Sequence, residues 1–522
     1  MPQGETAPLP APPLAVVDMG ASAVRLTIAE PGPDGGLRIL EEASRGVLLG
    51  KDTFTHGRIT APTMEAALKV LAGFRRLLDT YGVKRVRAVA TSALREASNR
   101  DTFLDRVRLR TGFDVEVIEG TEENRLTHLA VRNALGDHPA LQKGTALVVE
   151  IGGGSGDLTL LVDGVPRYSG TYALGAIRMR QRLGSWKGPH DRKVRFLTRL
   201  IRNVVEDIKR EVALHEVTQL IAIGGDMRFA VTRLAGDALA KQRYTVLDRD
   251  AFLSLCRDLS ALPSETLAER FGLGPADSET LVPALLAYRA LLEETEARDI
   301  LVPLASLRRG LLYDMARGEE GARFADLSRL VMASALALGE KYRFDAAHGN
   351  AVSHLATRLF DDLRGEHGLQ ERDRLLLMVA ALLHDVGVHV NRTSHHKHTQ
   401  YLLGASDLFG LTREDQAIVA AVARYHRGAL PDVSHGGYGS LQRDDRVRVS
   451  KLAAILRLSN ALDAERSQKV WDVRVLRRED EWVLEVQGSG DLTMERLAVQ
   501  ARADLFSEVF GWRLQFREKA AS

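Results

Sequence analysis

The sequence predicts an α/β fold assembled from two related halves, followed by a helical region and a small α+β tail. Three observations carry this. The segment Leu14-Ala-Val-Val-Asp18-Met-Gly20-Ala-Ser22-Ala-Val-Arg25-Leu-Thr-Ile28 is echoed by Ala146-Leu-Val-Val-Glu150-Ile-Gly152-Gly153-Gly154-Ser155-Gly-Asp157-Leu-Thr-Leu160. Both run strand, acid, apolar residue, glycine, small residues and second strand. A repeat about 130 residues apart points to two half-domains rather than a short-period solenoid. Between the two hairpins, strand patterns alternate with helical ones. Beyond residue 320 the period turns helical, and ten of the 15 histidines lie from His348 onward. The expected division is 14–137 and 138–315 for the two half-domains, 322–465 for the helical region and 466–520 for the α+β module.

Composition sets the outer limits. The chain has 522 residues, 45% apolar and 27% charged, with a net charge of +2. That is ordinary globular material, too weakly basic for a general nucleic-acid binder. The single Cys256 excludes a disulfide within the chain and fits a reducing compartment; it reads as a small core residue. No segment has the length of a membrane span. The opening MPQGETAPLPAPP has neither a basic region nor an apolar one, so it reads as a floppy leader and not a signal peptide. A cytoplasmic protein is expected.

Each hairpin is a pair of strands joined by small residues. As a β-turn it needs one or two glycines; a run of three invites an anion close to the backbone. Two such turns facing each other across a cleft would hold a phosphate chain. Val86-Arg-Ala-Val-Ala90 reads as a buried strand passing through Thr91-Ser92 into a helix that carries Arg95. An arginine there forks onto phosphate oxygens or is simply solvated. Val115-Glu-Val-Ile118 is a short strand ending at Gly120, after which Thr121 caps a helix with Glu122 and Glu123 in its first turn. Acids at a helix start complement the dipole, which is reason enough for both. The functional alternative makes one of them a general base.

Taken together, DMGAS, ATSALREASN, IEGTEENRL and VVEIGGGSGD resemble the exopolyphosphatase and guanosine pentaphosphate phosphohydrolase family, in order and spacing. IAIGGDMRFAVTRLA (221–235) and SLRRGLLYDM (306–315) match its later blocks. The resemblance implies duplicated half-domains of the actin-like ATPase (ribonuclease H-like) type. It implies hydrolysis of a terminal phosphoanhydride with Mg²⁺ or another divalent cation, on inorganic polyphosphate or on guanosine pentaphosphate. By the same resemblance Glu123 is the base that activates water, and Arg95 holds a substrate phosphate. Gly152, Gly153, Gly154 and Ser155 form the phosphate loop, opposite Gly20 and Ser22. Asp18, Glu150 and Asp157 surround the metal and the water. Dimers are common in the family, so a homodimer is expected.

There are departures. The family usually has Asp where this chain has Glu150 and Glu where it has Asp157, so the two side-chain lengths are exchanged. The first loop, usually Gly-Ser-Asn-Ser, is Gly20-Ala21-Ser22-Ala23, with two hydroxyls gone. A misplacement on the order of 1 Å can cost about a hundredfold in rate. A catalytically weak polyphosphate- or alarmone-binding regulator is therefore the reading from another class.

In the second half, His348 and the His384-Asp385 pair match the metal positions of HD-type phosphohydrolase domains. The expected closing acid falls on Asn460, and Asp463 would replace it only on a rotated helix. An HD-like domain with a structural or substrate-guiding role is the expectation. The net basic runs Arg424–Arg427 and Arg443–Lys451 are either a solvated face or a groove for a polyanion. Strands at 470–476 and 482–486, one helix over 492–510 and a strand at 512–516 make up the α+β tail.

Overall fold

The computed structural model describes residues 12–32, 36–184, 188–238, 242–316, 320–477 and 482–519. It divides into two compact units, 1–325 and 326–522. The leader up to residue 11 and most of the segment 316–320 lie outside the described residues.

The first unit contains two mixed sheets. In the first sheet the strands are β1 (Leu14–Met19), β2 (Ala23–Pro31), β3 (Leu37–Gly46), β4 (Arg85–Ala90) and β5 (Val115–Val117), in the order β3-β2-β1-β4-β5. The second sheet holds β6 (Thr145–Ile151), β7 (Gly156–Val162), β8 (Val165–Tyr172), β9 (Gln219–Ile223), β10 (Tyr244–Asp248) and β11 (Asp299–Pro303), in the order β10-β11-β9-β6-β7-β8. Strand β1 pairs antiparallel with β2 and parallel with β4; β6 does the same with β7 and β9. Reading outward from β1 and from β6 gives one topology, with β10 added at the second edge. The sequence echo is therefore a repeated fold.

The central strands are near-continuous apolar runs because helices cover both faces. All six residues of β1 are buried. The last helix of each half crosses to the other half. Helix Gly120–Leu135 lays Ala130, Val131 and Leu135 on Val148, Ile221 and Leu301 of the second sheet. Helix Leu307–Ala316 lays Leu311 and Leu312 on Leu14, Val16 and Val89 of the first. The two helices touch where Gly310 meets the backbone of Leu126; a Cβ there would lie 2.0 Å from the Leu126 carbonyl oxygen. This exchange ties the halves together and leaves the strand ends of β1 and β6 facing a common cleft.

The second unit is helical around a histidine-rich centre. Helices Ala346–Asp362, Glu371–Leu383, His395–Ala405, Arg413–Arg424 and Arg443–Ala461 surround it. Strands Val470–Arg477, Trp482–Gly488 and Leu514–Glu518 form a three-stranded sheet. The single helix expected over 492–510 is two helices, Thr493–Arg502 and Asp504–Phe510, meeting at Ala503. The break lets Asp504 reach back to Arg457 (3.0 Å). In the run Arg443–Lys451, Arg448 pairs with Asp373 and Asp445, and Lys451 donates to the His367 carbonyl. Those cations hold the unit's own packing. No helix among the described residues is long and apolar enough to cross a membrane.

Candidate active site

The two glycine hairpins face each other. A Cβ built on Gly153 would lie 3.0 Å from the Cβ of Ala21, and one on Gly154 would fall 2.3 Å from Ser92 Oγ and 2.5 Å from the Phe54 ring. None of Gly152, Gly153 and Gly154 has a positive φ. Gly153 and Gly154 are therefore needed for close approach and not for left-handed backbone, while a Cβ on Gly152 would meet only an ordinary contact at 3.5 Å.

Both turns are held the same way. The N–H of Gly20 closes the first turn on Ala23 O (3.1 Å), and that of Gly152 closes the second on Ser155 O (2.8 Å). The carbonyls of Ala21 and Ser22 accept from Gly50, Val47 and Leu48; those of Gly152 and Gly153 accept from Ala176, Ile177 and Arg178. The Gly154 carbonyl accepts from Arg178 Nε at 2.7 Å. With the carbonyls drawn back, the N–H groups of Ala21, Ser22, Gly153, Gly154 and Ser155 meet no acceptor among the described residues, and all five residues line one cavity. A run of such donors is an anion nest. Beneath the second turn, the buried Tyr288 hydroxyl accepts from Ile151 N–H (2.8 Å) and donates to the Ile223 carbonyl, joining the ends of β6 and β9.

The cavity has a volume of about 460 Å³. Glu123 projects into it from the first turn of Gly120–Leu135, whose N-cap is Glu119 and not Thr121 as expected. Glu150 and Asp157 are paired across β6 and β7. Glu150 Oε2 accepts from Thr127 Oγ1 (3.1 Å); Asp157 accepts from Thr171 Oγ1 (2.7 Å) and from Ser155 Oγ (3.1 Å). Burial, then the neighbouring Asp157, pushes Glu123 up to about 8 against the opposing pull of Arg95. Burial and Asp157 push Glu150 up to about 7, and burial raises Asp157 as well. Three carboxylates in one low-dielectric pocket resist ionising together.

Cations form the other wall. Arg25, Arg228 and Arg308 line the cavity. Burial, then Arg308, lowers Arg228, so the guanidiniums repel one another in the absence of an anion. Arg308 Nη1 lies 3.3 Å and Arg25 Nη1 3.8 Å from Asp18 Oδ2. Asp226 also lines the cavity, raised to about 7 by burial and by Asp277.

Two expected roles look different in place. Arg95 lies 2.8 Å from Glu123 Oε1 and 2.6 Å from the Ile118 carbonyl, so its guanidinium orients the carboxylate and does not line the cavity. Asp18 is engaged by two arginines. The residues expected to hold a divalent cation do not form a closed cage: the tight ligand triads among the described residues lie in the second unit. Glu150 and Asp157 remain, two adjacent carboxylates of raised affinity for positive charge. That donor set fits Mg²⁺, which binds through one or two carboxylates together with substrate oxygens and water. Gly20, Ser22, Gly152, Gly153, Gly154 and Ser155 all line the cavity, as do Glu123, Glu150, Asp157 and Asp18. The sequence reading missed Arg25, Arg228 and Arg308, although Arg228 and Arg308 sit inside the quoted blocks 221–235 and 306–315.

A cationic nest facing buried carboxylates, set between two sheets of one topology, is the equipment of a phosphatase that cleaves phosphoanhydride bonds. The Ppx/GppA phosphatase family model matches residues 27–319, and the model for domain III of Ppx/GppA phosphatase matches 331–501. The chain belongs to the Ppx/GppA phosphatase family. Among curated relatives, a guanosine-5'-triphosphate,3'-diphosphate pyrophosphatase of Pseudoalteromonas atlantica is 23% identical, over 85% of this chain and 86% of that one. Its counterpart in Photobacterium profundum is 25% identical over the same shares. The crystal structure of an exopolyphosphatase from Cytophaga hutchinsonii is 27% identical with a TM-score of 0.54, covering 59% of this chain and 99% of that one.

Proposed function

We propose that the chain is an exopolyphosphatase, removing the terminal phosphate of inorganic polyphosphate as orthophosphate, with Mg²⁺ or another divalent cation as cofactor. The observation that supports this most directly is the single cavity in which two rows of unpaired N–H groups and three arginines face Glu123, Glu150 and Asp157. A polyanion without a base or sugar needs charge neutralisation and an aligned water more than shape-specific contacts.

In this reading the terminal phosphate lies between the turns, its oxygens on the N–H groups of Gly153, Gly154 and Ser155 and on those of Ala21 and Ser22. Arg25, Arg228 and Arg308 neutralise the chain behind it. Glu123, oriented by Arg95, takes a proton from water as the water oxygen forms its bond to the terminal phosphorus. The bond to the bridging oxygen breaks, and the shortened chain leaves as an oxyanion. A divalent cation held by Glu150 and Asp157 would supply Lewis acidity and shield the phosphate charge. The half-domains 14–137 and 138–315 contain all of this. The region 322–465, read as an HD-like helical domain, and the module 466–520 accompany the hydrolysis without performing it.

A second reading, 5'-phosphate removal from guanosine pentaphosphate, is favoured by the names of the curated relatives and by Phe229, an aromatic side chain on the cavity wall. Released phosphate is measured from long polyphosphate and, separately, from guanosine pentaphosphate, with Mg²⁺ and with EDTA. Faster Mg²⁺-dependent release from polyphosphate, abolished in Glu123→Ala with polyphosphate binding retained, is expected. Release from the nucleotide alone would replace the substrate. Binding without release from either would leave a regulator.

A further inference from the structure

Independently of that reading, the second unit holds a set of ligands that the hydrolysis does not use. His348, His384, His395 and His426 are buried and converge on Asp385, itself nearly buried. In each ring Nδ1 faces an oxygen. His384 Nδ1 lies 2.7 Å from the Ala381 carbonyl, His426 Nδ1 2.7 Å from that of Ala423, and His395 Nδ1 3.0 Å from that of Arg392. His348 Nδ1 lies 2.7 Å from Asp463 Oδ2. A carbonyl only accepts, so the ring proton sits on Nδ1 and Nε2 is a bare lone pair in the neutral imidazole.

These lone pairs then meet each other. His348 Nε2 and His384 Nε2 are 3.2 Å apart; His395 Nε2 and His426 Nε2 are 3.1 Å apart. Asp385 Oδ1 lies 3.1 Å from His395 Nε2, 3.5 Å from His426 Nε2 and 3.6 Å from His384 Nε2. Five acceptors crowd together with no donor among them, which protein alone cannot satisfy in a buried site. Metal cations bonded to them satisfy every one. The spacings are those of neighbouring ligands on one ion with bonds of about 2.1 Å. The ligand atoms fall into two triads, His348–His384–Asp385 and Asp385–His395–His426, that share the carboxylate. Asp463 does not take the place of the acid missing at Asn460. It stands behind His348 and fixes that ring, the usual outer-sphere partner of a ligating imidazole. Arg466 holds Asp385 through its other oxygen, Oδ2.

We propose that the second unit binds a pair of first-row divalent transition-metal ions, one on His348 and His384 and one on His395 and His426, bridged by Asp385. Imidazole-rich sets with a single carboxylate select such ions over Mg²⁺ or Ca²⁺. With three protein donors each, both ions keep open positions for water or an anionic ligand.

The test uses the untagged full chain, stripped with EDTA, reloaded with Co²⁺ and desalted in excess Mg²⁺, with cobalt measured by mass spectrometry. About two equivalents per chain, with visible d–d absorption bands, are expected. Asp385→Asn, whose fold is checked by circular dichroism, should lose most of the cobalt, and His426→Gln about half. Glu150→Gln, in the other unit, should change nothing. No retained cobalt in the wild-type chain overturns the site, which holds even if every variant misfolds. Retention undiminished in folded Asp385→Asn also overturns it, and one equivalent in the wild type overturns the bridged pair.

Discussion

Glu123 carries a conflict that its neighbours set. In its proposed role as base it must be ionised, yet burial and Asp157 hold it up to about 8, and Arg95 is the cation that opposes them at 2.8 Å. The ionised form is populated above the raised value, so kcat/KM should climb with pH through an ascending limb near 8 for the free enzyme. Arg95→Gln removes the lowering partner. That limb should then move to higher pH; a pH–rate profile with an unmoved limb would separate Arg95 from Glu123. The exchanged acids have a physical reading too. Glu150 and Asp157 are opposite one another in the β6–β7 register, so shortening one and lengthening the other conserves the combined reach of the pair. Glu150→Asp and Asp157→Glu should each lower kcat by about tenfold to a hundredfold, and the double variant should lose less than the sum. Strict additivity in that cycle would mean that the two carboxylates act apart. These acids were legible in the sequence because each sits beside a glycine turn or at a helix start. Arg25, Arg228 and Arg308 were not, since they lie in three distant segments and converge only once both sheets have folded. Arg95 was visible as a residue, but its direction was not. A one-turn helix, Ser92–Arg95, delivers it to the Ile118 carbonyl beneath Glu123.

Among the elements, the hairpins were legible because strand alternation and small-residue turns are local signals. What a local signal cannot carry is the crossing of the two last helices, each packed on the other half's sheet. That crossing depends on Gly310, whose missing side chain admits the Leu126 backbone. A methyl 2.0 Å from a carbonyl oxygen has to push the helices apart, and one of them carries Glu123. Gly310→Ala should destabilise the first unit by about 1–3 kcal/mol, as overpacking does. It should also lower kcat more than it raises KM, because it displaces Glu123 and leaves both turns in place. Urea unfolding and steady-state kinetics on one preparation check both. An active Gly310→Ala protein of unchanged stability would show that the crossing has slack. The division of the 492–510 helix was illegible for a related reason: its apolar pattern continues across Ala503, while the break answers to Arg457 on another helix.

For the molecule as a whole, the first unit is built at a cost that depends on pH. An unfolded Glu titrates near its ordinary 4.5, whereas the native chain holds Glu150 up to about 7 and Glu123 up to about 8, with Asp226 raised to about 7. Between those limits the native state binds more protons than the unfolded one, so the slope of unfolding free energy with pH is negative. The contribution is complete below about 4.5 and is lost as pH rises through 7 and 8. Most proteins with salt-bridged acids behave in the opposite sense over the acid range, which makes the effect separable. The metal-stripped protein should therefore lose stability between pH 5 and pH 8.5, by about 1–3 kcal/mol after allowance for the groups' coupling and for their exposure to the cavity. Glu150→Gln should flatten the fall, since a neutral amide has no proton to lose. Mg²⁺ with a non-hydrolysed polyphosphate analogue should restore stability most at high pH, where the ionised carboxylates have the most to gain from a cation. Urea midpoints across that range, on the wild type and Glu150→Gln, decide it. A wild-type profile that rises toward pH 8.5 would mean that the cavity carboxylates are ionised and compensated by groups other than a bound cation.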